Sequence, residues 1–405
     1  MPLGLYLSVP FCRTKCTYCN FASDVFSRAV FERYVERVCA DLHTTLETAE
    51  QMGGRFEREV DSVYLGGGTP TLLDSQQLQQ LFVTIRQNFR LLPETEVTVE
   101  CAPGTLTPPV LDSLLKCGVN RVSLGVQSFV DQESASVGRL HKKASVLDDI
   151  ARLRGAGISK ITIDLIAGLP HQTTESWKTS LDSTIALDVP HVSVYMLEVD
   201  DDSRLGRELI AGGTKYHAHF VPDEELIANL YETACAELNA AGILQYEISN
   251  FARAGFESRH NLKYWTRQPY VGFGVDAHSM LVSSSEGFEA VRFSTADSLE
   301  QFVAAAPLQR TEVSRQAALE ETFFLGLRLA QGLDLEDVRT KFGTLIVTAL
   351  ARTIVELAGA GLIGREGDRI WLTAQGRLLS NEVFERFLSL PVNPGENVSS
   401  ARIAL

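Results

Sequence analysis

Hydrophobic and polar positions change period repeatedly along this chain. Short β-branched or alternating runs recur at LGLYLSV (3–9), DSVYL (61–65), EVTVE (96–100), NRVSLGV (120–126), KITIDLI (160–166) and HVSVYML (191–197). Runs of that length and composition predict strands. Between several of them the period lengthens to that of a helix. DSQQLQQLFVTIRQNF (74–89) opens on Asp74 as N-cap, and TPPVLDSLLKCG (107–118) has Thr107 as cap, Pro108 in its first turn and Gly118 as stop. ASVLDDIARLRGAG (144–157) and TESWKTSLDSTIAL (174–187) follow the same design. Strands that alternate with helices predict a parallel sheet, because parallel neighbours need crossover connections. Six such units imply an α/β fold with a closed or partly closed barrel. A doubly wound sheet is the alternative that pattern alone leaves standing.

Around Asp200–Asp202 the repeat gives way to a loop, and PDEELIANLYETACAELNAAG (222–242) reads as one long helix with a glycine stop. YEISNFAR (246–253), HNLKYW (260–265) and YVGFGVDAHS (270–279) then gather aromatics and glycines. From about Arg310 the pattern turns helical through RQAALEETFFLGLRLAQG, LDLEDVRTKFG and TLIVTALARTIVELAGAG. LIGREGDRIWLTAQG reads as a hairpin, and a last helix is expected to end near Leu390. Helices followed by a hairpin predict a mostly helical, winged-helix-like domain. The expected division is a barrel core over 1–240, an extension or linker over 241–305, the helical domain over 306–390, and a frayed tail over 391–405.

Composition narrows the function classes. The 405 residues, 45% hydrophobic and 22% charged, suit a globular protein of two or three domains. No apolar run reaches the roughly eighteen residues of a membrane span. The start, MPLGLYLSVPFC, lacks the basic region of an export signal. A net charge of −14 opposes a phosphate backbone, and residues 310–390 carry ten Lys and Arg against eleven Asp and Glu. Nucleic acid is therefore not an expected partner, even for the winged-helix-like domain. Seven cysteines, thinly spread beyond the first cluster, are no secreted disulfide framework, so a reducing cytoplasm is the expected location.

The polar and glycine-rich features fall where strands stop. The cysteines of VPFCRTKCTYCNF (9–21) follow the first and GGGTP (66–70) the second. Glu100 ends the third, Gln127 follows the fourth, Asp164 sits in the fifth, and Glu198 lies just past the sixth. In barrels of this kind the C-terminal strand ends build the active site. The spacing Cys12-x3-Cys16-x2-Cys19 has no second pair nearby to complete a zinc site, and a redox dithiol leaves Cys12 unexplained. Three thiolates on one loop can hold three irons of a cubane cluster and leave the fourth open.

With Tyr18 before the third cysteine, the loop resembles the signature of the radical S-adenosylmethionine superfamily. That resemblance implies a partial (βα)6 radical-SAM barrel and a [4Fe–4S] cluster whose open iron is chelated by the amino and carboxylate groups of S-adenosylmethionine. It further implies that Gly67, Gly68 and Thr69 meet the methionyl end through backbone amides. Glu100, Gln127, Arg139 and Asp164 match positions that contact the methionyl carboxylate, the ribose or a second cofactor nearby, and Tyr6 and Tyr18 match further contact positions.

LYLSVPFC, YLGGGTPT, RVSLGVQSF, GRLHK, DLIAGLP and GFGVDAHS together resemble the oxygen-independent coproporphyrinogen III oxidase family over nearly the whole chain. The oxidase itself carries a longer N-terminal extension and a further cysteine two residues after the third. Here eleven residues precede Cys12, and that position is Phe21. Both departures are similar to a sister group of heme chaperones, and HNLKYW matches that group's His-Asn-x-x-Tyr-Trp motif. The group implies heme as ligand, a heme-acceptor apoprotein as partner, and an electron donor such as flavodoxin or ferredoxin. It also implies that His260 ligates heme iron while Tyr264 and Trp265 offer flat faces to the macrocycle. Taken without the resemblance, His260 reads as a core histidine among packed aromatics, and His278 of DAHS is a second candidate ligand. True oxidase activity is the alternative function. One departure from relatives is ECAPG, which has Ala102 where Asn usually precedes the proline. Peripheral membrane association and a homodimer stay open.

Overall fold

The computed structural model describes residues 1–388. Six strands carry the first half: β1 (Leu3–Val9), β2 (Glu59–Gly67), β3 (Arg90–Cys101), β4 (Arg121–Gln127), β5 (Lys160–Ala167) and β6 (His191–Met196). They lie side by side in chain order, and every neighbouring pair is parallel. A doubly wound sheet reverses its strand order at a switch point. This one does not, so the barrel-type winding is correct.

The barrel is partial because β1 and β6 pair outward instead of with each other. β1 takes Tyr270–Gly274 as a parallel neighbour, and β6 takes Asn250–Ala252 as an antiparallel one. Beyond Tyr270–Gly274 the sheet runs on antiparallel through His278–Ser283, Phe288–Ser294 and Gln309–Ser314, to thirteen strands in all. The extension thus continues the barrel's own sheet as far as Ser314 and not only to residue 305.

Local chemistry explains the helices. α1 (Ala29–His43) buries Phe31, Tyr34, Val35, Val38 and Leu42, one stripe at helical spacing. α2 (Ser75–Asn88) starts from a capping box in which Asp74 accepts the Gln77 amide and the Gln77 side chain accepts the Asp74 amide. α3 (Pro108–Cys117) ends on Gly118 at φ 85°, the left-handed conformation that glycine tolerates, but the Thr107 side chain makes no capping bond. Its Pro at the first position needs no amide partner, so the helix starts without one. α4 (Lys143–Gly155) and α5 (Thr174–Ala186) complete the crossovers, and α6 (Glu224–Ala240) is the long helix, capped by Asp223.

The C-terminal region packs Arg315–Gly326, Leu335–Phe342 and Thr344–Gly359 around a small sheet in which the hairpin Ile363–Glu366 and Arg369–Leu372 pairs with Leu333–Asp334. The last described helix ends at Glu385, and the expected tail lies outside the described residues. Buried Glu321 accepts from Arg267 at 2.9 Å and from Arg292 at 3.0 Å, pinning this region to the sheet extension. Among the described residues no helix is long and apolar enough to cross a membrane.

Candidate functional site

The loop bearing the cysteines begins where β1 stops, and it is fixed on several sides. Phe11 is fully buried, stacked on Phe31 at 3.7 Å and edge-on to Tyr34 at 5.1 Å. The Tyr34 hydroxyl donates to the Ser8 carbonyl at 2.7 Å, so α1 holds the strand end. The loop closes on itself when the Cys12 amide donates to the Asp24 carbonyl at 3.0 Å and Lys15 Nζ donates to the carbonyls of Phe21 and Ser23, both at 2.6 Å. Its far side is tied by the Thr17 amide to the Val137 carbonyl at 3.1 Å and by Thr14 Oγ1 to the Gly138 carbonyl at 2.9 Å.

Cys12, Cys16 and Cys19 face a cavity of about 710 Å³ at the C-terminal ends of the barrel strands. Tyr18, Gly67, Gly68, Thr69, Glu100, Gln127, Arg139 and Asp164 line it too, so eight of the nine expected cofactor contacts converge here with the cysteines. Among the described residues no three His, Cys, Asp or Glu side chains converge tightly enough to hold a single metal ion. Burial raises the Cys12 thiol, with hydrogen bonds from Ser23 and Thr69 acting the other way.

Another part of the lining is polar and half-buried. Glu100 accepts from the Tyr64 hydroxyl at 2.9 Å and the Gly67 amide at 3.1 Å. Burial, then repulsion from Asp164, pushes its carboxyl up to about 7. Asp164 accepts from Ser123 Oγ at 2.9 and 3.1 Å, and burial pushes it up to about 6. Gln127 sits at φ 68°, a left-handed conformation rare for a side chain of its kind, with its Oε1 buried and unpartnered. Arg139 Nε is likewise buried without a partner, while Nη2 donates to the Tyr18 hydroxyl at 3.0 Å. Two orphaned polar atoms in one cavity mark a place where a polar ligand belongs.

The glycine turn differs from expectation. The amides of Gly68 and Thr69 donate to the carbonyls of Val9 at 2.8 Å and Phe11 at 2.7 Å, and that of Gly67 is taken by Glu100. None of the three is free for a cofactor. The glycines are needed by the protein's own packing: a β-carbon at Gly68 would lie 2.7 Å from both those carbonyl oxygens, and one at Gly66 would meet the Glu100 carboxylate at 2.8 Å. Contact from this turn to a ligand therefore falls to carbonyls, the bare α-carbons and the Thr69 side chain.

Several lining residues escaped sequence reasoning. Tyr195 and His141 border the cavity, while Tyr64 and Ser123 set the two carboxylates. Strand register was the available signal, since Glu100 pairs with Ser123, Gly125 with Asp164, and Ile166 with Tyr195. Parallel neighbours in register share a face.

A model of the Radical SAM superfamily matches residues 6–183, and one of the HemN C-terminal domain matches 313–379. The protein named Heme chaperone HemW of Lactococcus lactis is 33% identical over 397 residues, covering 97% of this chain and 99% of its own. Its namesake from Bacillus subtilis is 34% identical over 387 residues, covering 95% and 98%. The chain belongs to the HemW family. In structure it is similar to coproporphyrinogen III oxidase (HemN) of Escherichia coli, with a TM-score of 0.80 over 96% of this chain and 90% of that one. At 24% identity that is a likeness of fold.

Of the HNLKYW residues, Tyr264 lines one of the two cavities described, and His260 and Trp265 line neither. The motif forms the helix Arg259–Trp265, which contacts β2 beneath the site. His260 is 1% exposed. Its Nδ1 pairs with Ser62 Oγ at 3.0 Å and its Nε2 with the Tyr264 hydroxyl at 2.9 Å. Burial, then Lys263, lowers it to about 3, so the ring is neutral. The structure puts His260 in the core, with both ring nitrogens hydrogen-bonded. Arg328 covers the face of Trp265 at 4.4 Å. Tyr264 instead lines a second cavity of about 310 Å³ with Tyr6, Ser8, Phe21, Ala22, Gly67, Tyr270, Asp276 and His278. Tyr6, expected among the cofactor contacts, opens here and not onto the larger cavity. Phe21 and Gly67 belong to both.

Proposed function

We propose that this chain is a heme chaperone that holds a [4Fe–4S] cluster on Cys12, Cys16 and Cys19, takes S-adenosylmethionine at the open iron, and passes heme to an acceptor apoprotein. What carries the reading is one juxtaposition: three thiols of a single braced loop on one side of the larger cavity, and unpartnered Gln127 Oε1 and Arg139 Nε among its lining. In a cubane bound this way each of three thiolates takes a different iron. The cluster, when bound, supplies an electron to the sulfonium.

The chain's own residues bind, orient and shield. Arg139 keeps its proton under the influence of Tyr18 and the nearby thiols, although burial opposes it, and so offers a fixed cation to a carboxylate. Asp164, steadied by Ser123, suits ribose hydroxyls, and Glu100 near neutrality suits an ammonium group. The heme part rests on the HNLKYW motif and on what the named relatives are called. Anaerobic reconstitution tests both parts. More than three irons per chain, a paramagnetic signal altered by S-adenosylmethionine, and a saturable Soret band with hemin are expected. Fewer than three irons, or a signal indifferent to the sulfonium ligand, rejects the proposal.

A second reading, oxygen-independent coproporphyrinogen III oxidation, is motivated by the fold shared with the Escherichia coli enzyme. Robust protoporphyrinogen formation from coproporphyrinogen with dithionite and S-adenosylmethionine would favour it.

A further inference from the structure

The two carboxylates of the larger cavity are held by different means. Asp164 accepts from Ser123 Oγ with both of its oxygens. Glu100 divides the work: Oε1 accepts from the Tyr64 hydroxyl at 2.9 Å, and Oε2 accepts from the Gly67 amide at 3.1 Å. Tyr64 is its one side-chain donor among the described residues. An ionised carboxylate has about four acceptor positions, so each oxygen keeps a lone pair for a ligand.

The meeting of phenol and carboxylate is built into the strands. Tyr64 pairs with Thr98, two residues before Glu100 on β3. Tyr64 and Gly66 lie two apart on β2 and so share a face. A β-carbon at Gly66 would lie 2.8 Å from the Glu100 carboxyl carbon and 2.8 Å from Tyr64 Cε1. The bare α-carbon thus leaves the space in which the two side chains touch. Tyr6 at 6.0 Å and His260 at 5.4 Å flank the Tyr64 ring.

Opposing influences act on Glu100. Burial and repulsion from Asp164 favour the neutral acid, while Tyr64, the Gly67 amide and Arg139 favour the anion. Tyr6 on β1, Tyr195 on β6 and Tyr264 on the motif helix lie within its field and stay neutral, because burial raises all three. Of the groups that favour the anion, Arg139 and the amide are tied into the cavity and the turn. The Tyr64 hydroxyl is the one that can be removed with the ring left in place.

We propose that Tyr64 is a positioning residue whose hydroxyl holds the Glu100 carboxyl in its charged form, and so sets the pH range in which S-adenosylmethionine is taken up through its amino group. This rests on the cofactor half of the reading above and adds a regulatory feature to that site. A donor aimed at a carboxylate strengthens when the carboxylate is charged, so its loss shifts the balance toward the acid. The neutral acid is a poor partner for a cationic amine.

Binding of S-adenosylmethionine to the anaerobically reconstituted full chain, measured from pH 6 to pH 9, tests this. Tyr64→Phe is expected to bind about tenfold more weakly than wild type at pH 6 and to converge to within about twofold by pH 9, as the Glu100 titration moves up by about one pH unit. Charges common to both proteins, those of the cluster included, cancel in that ratio. Added to Glu100→Gln, the same substitution is expected to make no pH-dependent difference. Infrared titration of the ligand-free chain reads the shift directly: the protonated-carboxyl band lost in Glu100→Gln is expected to persist to higher pH in Tyr64→Phe than in wild type. A ratio constant with pH, or one that widens as pH rises, would overturn the role of Tyr64 and leave the cofactor reading in place. A wild-type chain that loads iron yet shows no saturable binding at any pH would overturn both.

Discussion

Arg139 donates through Nη2 to the Tyr18 hydroxyl at 3.0 Å, latching the cysteine loop to the segment that follows β4. Both residues line the larger cavity. Tyr18→Phe removes the acceptor and leaves a buried guanidinium N–H without a partner, a loss of about 1–3 kcal/mol. Thermal melting is expected to show that loss. Iron analysis after reconstitution is expected to show a lower content than wild type, and an unchanged melt with full iron would refute the latch.

The cysteines divide into two kinds. Serine at Cys12, Cys16 or Cys19 is expected to reduce reconstituted iron to well under half the wild-type content. Cys101 lines the same cavity, but its Sγ is engaged with Thr105 at 3.4 Å and burial pushes the thiol up to about 12. Cys101→Ala is expected to retain wild-type iron. Colorimetric iron per chain distinguishes the two kinds.

Gly68→Ala places a β-carbon against two backbone carbonyls that cannot swing aside. An overpacking cost of about 1–3 kcal/mol is expected, together with a displaced cysteine loop, since Val9 and Phe11 are the clashing partners. Gly155, with nothing within 4 Å of its added β-carbon, is the control. Gly155→Ala should melt at the wild-type temperature or slightly above.

Glu100 and Asp164 set the pH dependence of the ligand-free protein. Burial raises both, to about 7 and about 6, above their ordinary values of 4.5 and 3.8. The folded state therefore binds more protons than the unfolded one in that interval. The contribution of these groups is complete below the ordinary carboxylate range and is lost as pH climbs through 7. Glu100→Gln is expected to gain on wild type from pH 5 to about pH 7, at about 1.4 kcal/mol per pH unit, and to level off above that at about 3 kcal/mol. Melting curves across that range check it, and a difference of opposite sign would refute it.

His260→Ala is expected to be destabilising whatever its ligand role. It removes a buried ring and leaves the hydroxyls of Ser62 and Tyr264 without their partner. A loss of about 2–4 kcal/mol is expected by chemical denaturation. Any heme deficit in that variant must be read against its folded fraction.

Much of the barrel was legible because its strands obey simple period rules. All six runs read from sequence lie within strands or overlap them to a residue, and Asp74 caps α2 as its spacing implied. The convergence of cysteines, carboxylates and Arg139 followed from one topological fact, that parallel strands end on the same side. What sequence could not supply was the direction of backbone amides. GGGTP reads as an anion cradle until the carbonyls of Val9 and Phe11 are seen to fill it. HNLKYW likewise looks like a ligand motif until Ser62, nearly two hundred residues earlier, is found against the imidazole. The outer neighbour of β1 was equally hidden, because it comes from Tyr270–Gly274, late in the chain.

Glu321 reaches from the C-terminal helices to two arginines of the sheet extension, and it is 2% exposed. Arg267, one of the two, follows directly on the helix that carries Tyr264. Cutting the chain after the last sheet strand would strip both guanidiniums of this counter-ion, Arg267 where it is nearly buried. The amino-terminal portion is thus a poor candidate for excision as a free-standing fragment. Whatever reaches the aromatic cavity meets a wall whose footing is laid by residues beyond Ser314.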